Sequence, residues 1–129
     1  MGRPDDLKYT PTHEWVRVEG DIAVVGITDF AVEQLSDLVF IDLPAMGESL
    51  VKDSRFGEIE STKTVSDLIA PVSGPVVAVN SDLGDHLDVL SQSPYDKGWM
   101  VKVRMSRPDE LSQLLSAADY QAQLDSEEH

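Results

Sequence analysis

Apolar and polar positions alternate loosely over residues 7–27, and a turn at Glu19-Gly20-Asp21 separates Trp15-Val16-Arg17-Val18 from Ile22-Ala23-Val24-Val25-Gly26-Ile27. Apolar-rich runs on both sides of a Gly-containing turn predict a β-hairpin. The period then lengthens: Thr28-Asp29 can cap a short helix near 29–36 whose Ala31, Val32 and Leu35 share a face. Leu38 to Leu43 reads as a β-rich run stopped by Pro44. From Met46 onward, short apolar groups are cut by Gly47, Gly57, Pro71, Gly74, Pro75, Gly84, Pro94 and Gly98, punctuation that fits many short strands. Trp99 to Arg104 alternates as one more strand. Pro108, followed by Asp109 and Glu110 and then Leu111, Leu114, Leu115 and Ala118, predicts a C-terminal helix from about 108. Gly47-Glu48-Ser49-Leu50 is echoed by Gly84-Asp85-His86-Leu87, as two similar hairpin units of a sandwich, or chance, would produce.

Composition narrows the class. The chain has 129 residues, 41% hydrophobic and 26% charged, enough for one modest core. A single domain over 1–129 is expected, with residues 1–6 and 125–129 as loosely ordered ends. Without cysteine there is no disulfide, thiol nucleophile or thiolate metal site, and three histidines alone do not make a zinc site. No apolar run approaches the roughly 20 residues of a membrane span. The start Met1-Gly2-Arg3-Pro4-Asp5-Asp6 lacks a signal-peptide core and a myristoylation Ser/Thr, so the expected location is cytoplasmic, with no membrane partner. The net charge of −14 and the dispersed lysines and arginines argue against nucleic acid.

The richest segment for chemistry runs from Phe56 to Gly74, where Lys63 lies among Ser61, Thr62, Thr64 and Ser66 between two apolar runs. This places Lys63 at a turn tip, where an ordinary lysine is simply solvated. His13 beside Glu14 resembles an acid–base pair, but strand neighbours point to opposite faces, which makes a structural histidine the better reading. Trp15 and Trp99 read as core or rim aromatics. Ser91, Ser93 and Ser106 have no partner arrangement that would make a nucleophile, and no enzyme of independent activity is indicated.

Read together, Lys8-Tyr9, His13-Glu14-Trp15-Val16, Val25-Gly26-Ile27-Thr28-Asp29, Val39-Phe40-Ile41-Asp42-Leu43-Pro44, Glu60-Ser61-Thr62-Lys63, Ser66-Asp67, Ala70-Pro71-Val72-Ser73-Gly74, Val79-Asn80, Ser93-Pro94-Tyr95 and Gly98-Trp99 resemble, in order, the motifs of glycine cleavage system H proteins, which are lipoyl carriers. The resemblance spans about Leu7 to Leu124. Thr62 and Thr64 beside the lysine match neither the Met neighbours usual in biotin carriers nor the acidic neighbour typical of 2-oxoacid dehydrogenase lipoyl domains.

The resemblance implies a mainly β fold, a small barrel-sandwich hybrid of antiparallel sheets of the lipoyl/biotinyl-carrier type. It also implies lipoic acid in amide linkage on Lys63, with Glu60 and Gly74 recognised by the lipoylating enzyme, a lipoyl or octanoyl transferase or a lipoate ligase. Thr12, Glu14 and Asp67 would line a cleft that shelters the aminomethyl-loaded arm. The implied role is a covalent carrier, not a catalyst. It would visit glycine decarboxylase (P protein), aminomethyltransferase (T protein) and dihydrolipoyl dehydrogenase (L protein) as a monomer. Residues 84–97 depart from the family's pattern, with Asp85-His86-Leu87-Asp88-Val89-Leu90-Ser91-Gln92 and Tyr95-Asp96-Lys97-Gly98, which suggests a reshaped surface loop. A lipoyl-relay donor to other lipoate-dependent enzymes would use the same lysine, and an unmodified binding module would leave it bare.

Overall fold

The computed structural model describes residues 4–127. In chain order the elements are β1 (Lys8–Tyr9), β2 (Glu14–Glu19), β3 (Ile22–Ile27), α1 (Asp29–Leu35), β4 (Leu38–Asp42), β5 (Ser49–Leu50), β6 (Arg55–Ser61), β7 (Val65–Ile69) and β8 (Gly74–Val79). A 3-10 segment (Ser81–Asp85), α2 (Asp88–Gln92), β9 (Val101–Arg104), a second 3-10 segment (Pro108–Gln113) and α3 (Ala117–Glu127) follow.

The alternating run becomes the β2–β3 hairpin, paired from Glu14–Ile27 to Glu19–Ile22, and Gly20 takes φ +67° at its turn. Strands β1 and β9 extend this hairpin on either side, giving a six-stranded sheet of order β1-β2-β3-β9-β8-β5. The second sheet is three-stranded, β4-β6-β7, and every pairing in both sheets is antiparallel. Among the described residues the strands make two sheets and no closed barrel. Val16, Val25 and Val103 from the first sheet and Ile41, Ile59 and Leu68 from the second belong to one buried cluster, which α1 joins through Val32 and Leu35. A smaller cluster of Leu7, Tyr9, Trp15, Val24, Tyr120 and Leu124 fixes α3, with the Tyr9 and Tyr120 rings stacked at 4.9 Å.

Thr28 caps α1 as its sequence position predicts, its hydroxyl accepting from the Ala31 N–H at 3.2 Å. The continuous C-terminal helix from about 108 is not what forms. Pro108–Gln113 is a 3-10 segment, Leu114 is extended, and the α-helix begins only at Ala117. The cause is non-local: Leu115 exchanges backbone hydrogen bonds with Tyr9 at 2.7 and 2.8 Å, drawing the chain out of the helix. The sequence echo has no structural counterpart, since Ser49–Leu50 is a strand whereas residues 84 and 85 close a 3-10 segment. Within the atypical stretch 84–97, residues 88–92 are helical. Of the two ends, residues 4–6 are described without helix or strand, α3 includes residues 125–127, and 1–3 and 128–129 lie outside the described residues.

Gly74 opens β8 at φ +147°, and a Cβ there would sit 1.9 Å from the Arg104 carbonyl oxygen. A side chain at this point meets backbone, which cannot swing aside. Gly74→Ala is expected to cost about 3 kcal/mol through strain and overpacking, seen as a thermal midpoint lowered by about 10 °C. An unchanged midpoint would show that β8 and β9 separate easily.

Candidate functional site

Strands β6 and β7 are joined by Thr62-Lys63-Thr64, and Ser61 closes this short connection from beneath. Its N–H donates to the Thr64 carbonyl at 2.8 Å, and its buried hydroxyl oxygen accepts from the N–H groups of Lys63 and Thr64, both at 3.2 Å. The Thr62 N–H donates to the Asp37 carbonyl at 3.0 Å, tying the tip to the residue before β4. The backbone at Lys63 is therefore held from two sides, while its side chain is exposed. No ion pair or hydrogen bond engages its ε-amine among the described residues. Such a site fits an acyl group in amide linkage: the attachment point is fixed and the amine is available. Glu60 lies on the same hairpin, half-buried on β6 opposite Val65. Gly74 lies in the other sheet, beside Arg104.

Glu14 is the second focus. It begins β2, and only 1% of it is exposed. One carboxylate oxygen accepts from the hydroxyls of Thr10 at 2.7 Å and Thr12 at 2.5 Å, and the other accepts from the Ile69 N–H on β7 at 3.1 Å. Burial pushes its pKa from 4.5 up to about 7, against the downward pull of the hydrogen bonds from Thr12, Thr10 and Ile69. Thr12 is exposed and lines a cleft of about 450 Å³ with His13, Phe30, Gln34 and Ser66. Asp67, next along β7, is exposed and accepts from the Arg55 guanidinium at 3.0 Å. The structure thus joins Thr12 to Glu14 and pairs the Asp67 carboxylate with Arg55.

Two members of the Glu14 site escape a sequence reading. Thr10 lies in the turn before β2, where no strand periodicity links it to Glu14. Ile69 contributes a backbone N–H, for which no residue type is a signal. His13 does not cooperate with Glu14: its Nδ1 lies 2.8 Å from the Tyr120 hydroxyl. Among the described residues no group of three His, Asp or Glu could hold a metal ion.

A braced hairpin thus presents one exposed lysine at its tip, and the buried Glu14 carboxyl stands at the junction of the two sheets. The family model described as Glycine cleavage H-protein matches residues 7–127. The glycine cleavage system H protein of Nitratidesulfovibrio vulgaris is 53% identical over 129 residues, all of both chains. That of Cyanothece sp. is 52% identical over 122 residues, 95% of each. The crystal structure of a glycine cleavage system H protein from Mycobacterium marinum is similar at TM-score 0.88 and 43% identity, over 95% of this chain and 99% of that one. The chain belongs to the glycine cleavage H-protein family, whose members are carrier subunits of the glycine cleavage system and not catalysts.

The raised pKa of Glu14 has a thermodynamic sign. Between pH 4.5 and about 7 the folded protein keeps a proton that the unfolded chain has released. Stability from this group is present in full below 4.5 and is lost as pH rises through about 7. In Glu14→Gln the amide fits the same partners, donating to the two threonine hydroxyls and accepting from Ile69. The stability of the wild type relative to Glu14→Gln is expected to fall across that interval and to level off above it, measured by denaturant unfolding at stepped pH. A difference independent of pH would mean that Glu14 ionises at its ordinary value.

Proposed function

We propose that Lys63 is the lipoyl attachment residue and that the chain is one lipoyl-carrier domain serving glycine cleavage. The observation that carries this reading is the exposed, unengaged ε-amine on a turn braced by Ser61 and Asp37. An ammonium cannot attack an acyl carbon, so the modifying enzyme, a lipoyl or octanoyl transferase or a lipoate ligase, must take its proton. The free amine then attacks the carbonyl of an activated lipoyl or octanoyl group. The amide C–N bond forms as the nitrogen gives up a second proton, and the bond from the acyl carbon to the activating group breaks, the thiolate or phosphate leaving with the electron pair. Glu60, on the same hairpin, and Gly74 are the residues by which that enzyme would recognise its target.

The lipoyl group, once attached, supplies the disulfide and dithiol chemistry that takes up glycine's aminomethyl group and gives it on. The chain's own residues hold and shelter. Ser61 keeps the attachment point fixed while a long flexible side chain visits several active sites at high effective concentration. Thr12 at the cleft mouth, Glu14 behind it and Asp67 on β7 are the groups proposed to meet a cationic amine through charge-assisted hydrogen bonds and to slow its loss to water. The enzymes visited would be glycine decarboxylase, aminomethyltransferase and dihydrolipoyl dehydrogenase, with the carrier acting as a cytoplasmic monomer.

Intact mass and peptide mapping, on protein from cells supplied with lipoic acid, test the assignment directly. One lipoyl or octanoyl amide on Lys63, absent from Lys63→Arg, is the expected result; a bare Lys63 where a known carrier is modified would overturn it. The charge of −14 further implies electrostatic steering toward basic surfaces on the enzymes visited. Transfer rates should therefore fall several-fold between about 0.01 and 0.15 M salt, as the screening length shortens. Rates indifferent to salt would exclude steering.

A further inference from the structure

The outward face of the three-stranded sheet is divided along its length. Register sets Phe40, Glu60 and Val65 in one cross-strand row beside the Lys63 turn, and Asp42, Glu58 and Asp67 in another outward row farther along. Ile59, between them on β6, turns inward to the core. In the farther row, Arg55 bridges Glu58 and Asp67. The row beside the lysine is apolar on both flanks, with Phe40 50% and Val65 52% exposed. The register shift between Leu38 and Phe40 leaves Val39, also 51% exposed, directed out beside them. Three of the six large hydrophobic side chains exposed among the described residues thus lie here. Between Phe40 and Val65, half-buried Glu60 has no hydrogen bond or ion pair from its side chain among the described residues.

A carboxylate framed by apolar side chains and lacking an internal partner complements a cation that is itself set in an apolar surface. Reach then decides which protein brings that surface. From Cα to Nζ an unmodified lysine spans roughly 6 Å, so a protein acting on the bare amine must lay its own surface on the turn and its immediate neighbours. A protein that meets only the end of an acylated arm can stand farther off.

We infer that the Phe40–Glu60–Val65 row, extended by Val39, is the docking surface for the enzyme that acylates Lys63, a partner presenting a basic side chain within an apolar patch. This rests on the reading of Lys63 as the attachment residue. Phe40 is the anchor, because a large aromatic carries more binding energy than the smaller side chains around it.

The test uses the full, unmodified chain with octanoyl-loaded acyl carrier protein and a purified octanoyl transferase, following the mass gain on Lys63 with time. Phe40→Ser and Val65→Thr are each expected to lower kcat/KM about tenfold, chiefly through KM, with Phe40→Leu recovering most of the loss. Val18→Thr, a change at an exposed apolar residue on the six-stranded sheet, should leave the rate as it was. Thermal midpoints and sedimentation velocity accompany each variant, and Val65→Thr, nearly isosteric, keeps the test open should Phe40→Ser fold poorly. Wild-type acylation with unchanged rates in both variants would overturn the docking surface while the Lys63 assignment stands. Variants that alter only self-association would make the row a contact between copies and equally overturn the inference. A wild-type chain that is not acylated would remove the Lys63 assignment and the docking surface with it.

Discussion

The junction between the two sheets depends on one buried carboxyl. Glu14 starts a strand of the six-stranded sheet, yet one of its oxygens takes the Ile69 N–H at the end of β7, in the three-stranded sheet. Its other oxygen gathers the hydroxyls of Thr10 and Thr12, so the turn before β2 is drawn to the same point. An apolar residue of similar size would fill the volume and leave a backbone N–H without its acceptor, at a cost of about 1–3 kcal/mol. The apolar cluster between the sheets supplies bulk attraction but no direction, whereas these hydrogen bonds fix how β7 sits against β2. The lysine turn grows from β7 and inherits that position.

Fixing the turn and freeing the side chain are separate tasks, and different residues carry them. Ser61 and the Asp37 carbonyl spend their hydrogen bonds on backbone N–H groups of the tip and leave the lysine amine alone. Behind the Glu14 turn, the Tyr120 hydroxyl bridges His13 at 2.8 Å and Thr28 at 2.7 Å, connecting α3 to that turn and to the cap of α1. The C-terminal helix thus supports the site without reaching it. A hydroxyl shared by three elements can do this because hydrogen-bond geometry is directional where apolar contact is not.

Short-range pattern carried much of the fold. Alternation and a Gly turn marked the β2–β3 hairpin, Thr28 marked the start of α1, and hydroxyl residues around Lys63 marked a turn. What stayed hidden was set by contacts distant in sequence. The helical pattern after Pro108 is genuine, but Leu115 pairs with Tyr9, and no local window contains both. Gly74 shows the same limit. Its place in a family motif is legible, while the approach of the Arg104 carbonyl, which admits no side chain there, is not. Asp67 is legible as an acid of a family motif, but its partner Arg55 follows only from the β6–β7 register.

The constraint at Glu14 also sets a tension between stability and chemistry. Burial favours the neutral carboxyl, whereas the cation-holding role proposed for Glu14 is better served by an anion. A pKa near 7 places the two demands in balance. Full exposure would bring the pKa down and remove the folding penalty, but water would then screen any charge the carboxylate faces. Deeper burial without the threonines would hold the proton so firmly that no anion formed near neutral pH. The Thr10 and Thr12 hydroxyls occupy the middle course: each can donate to the carboxylate or accept from the carboxylic acid, so the junction survives either protonation state.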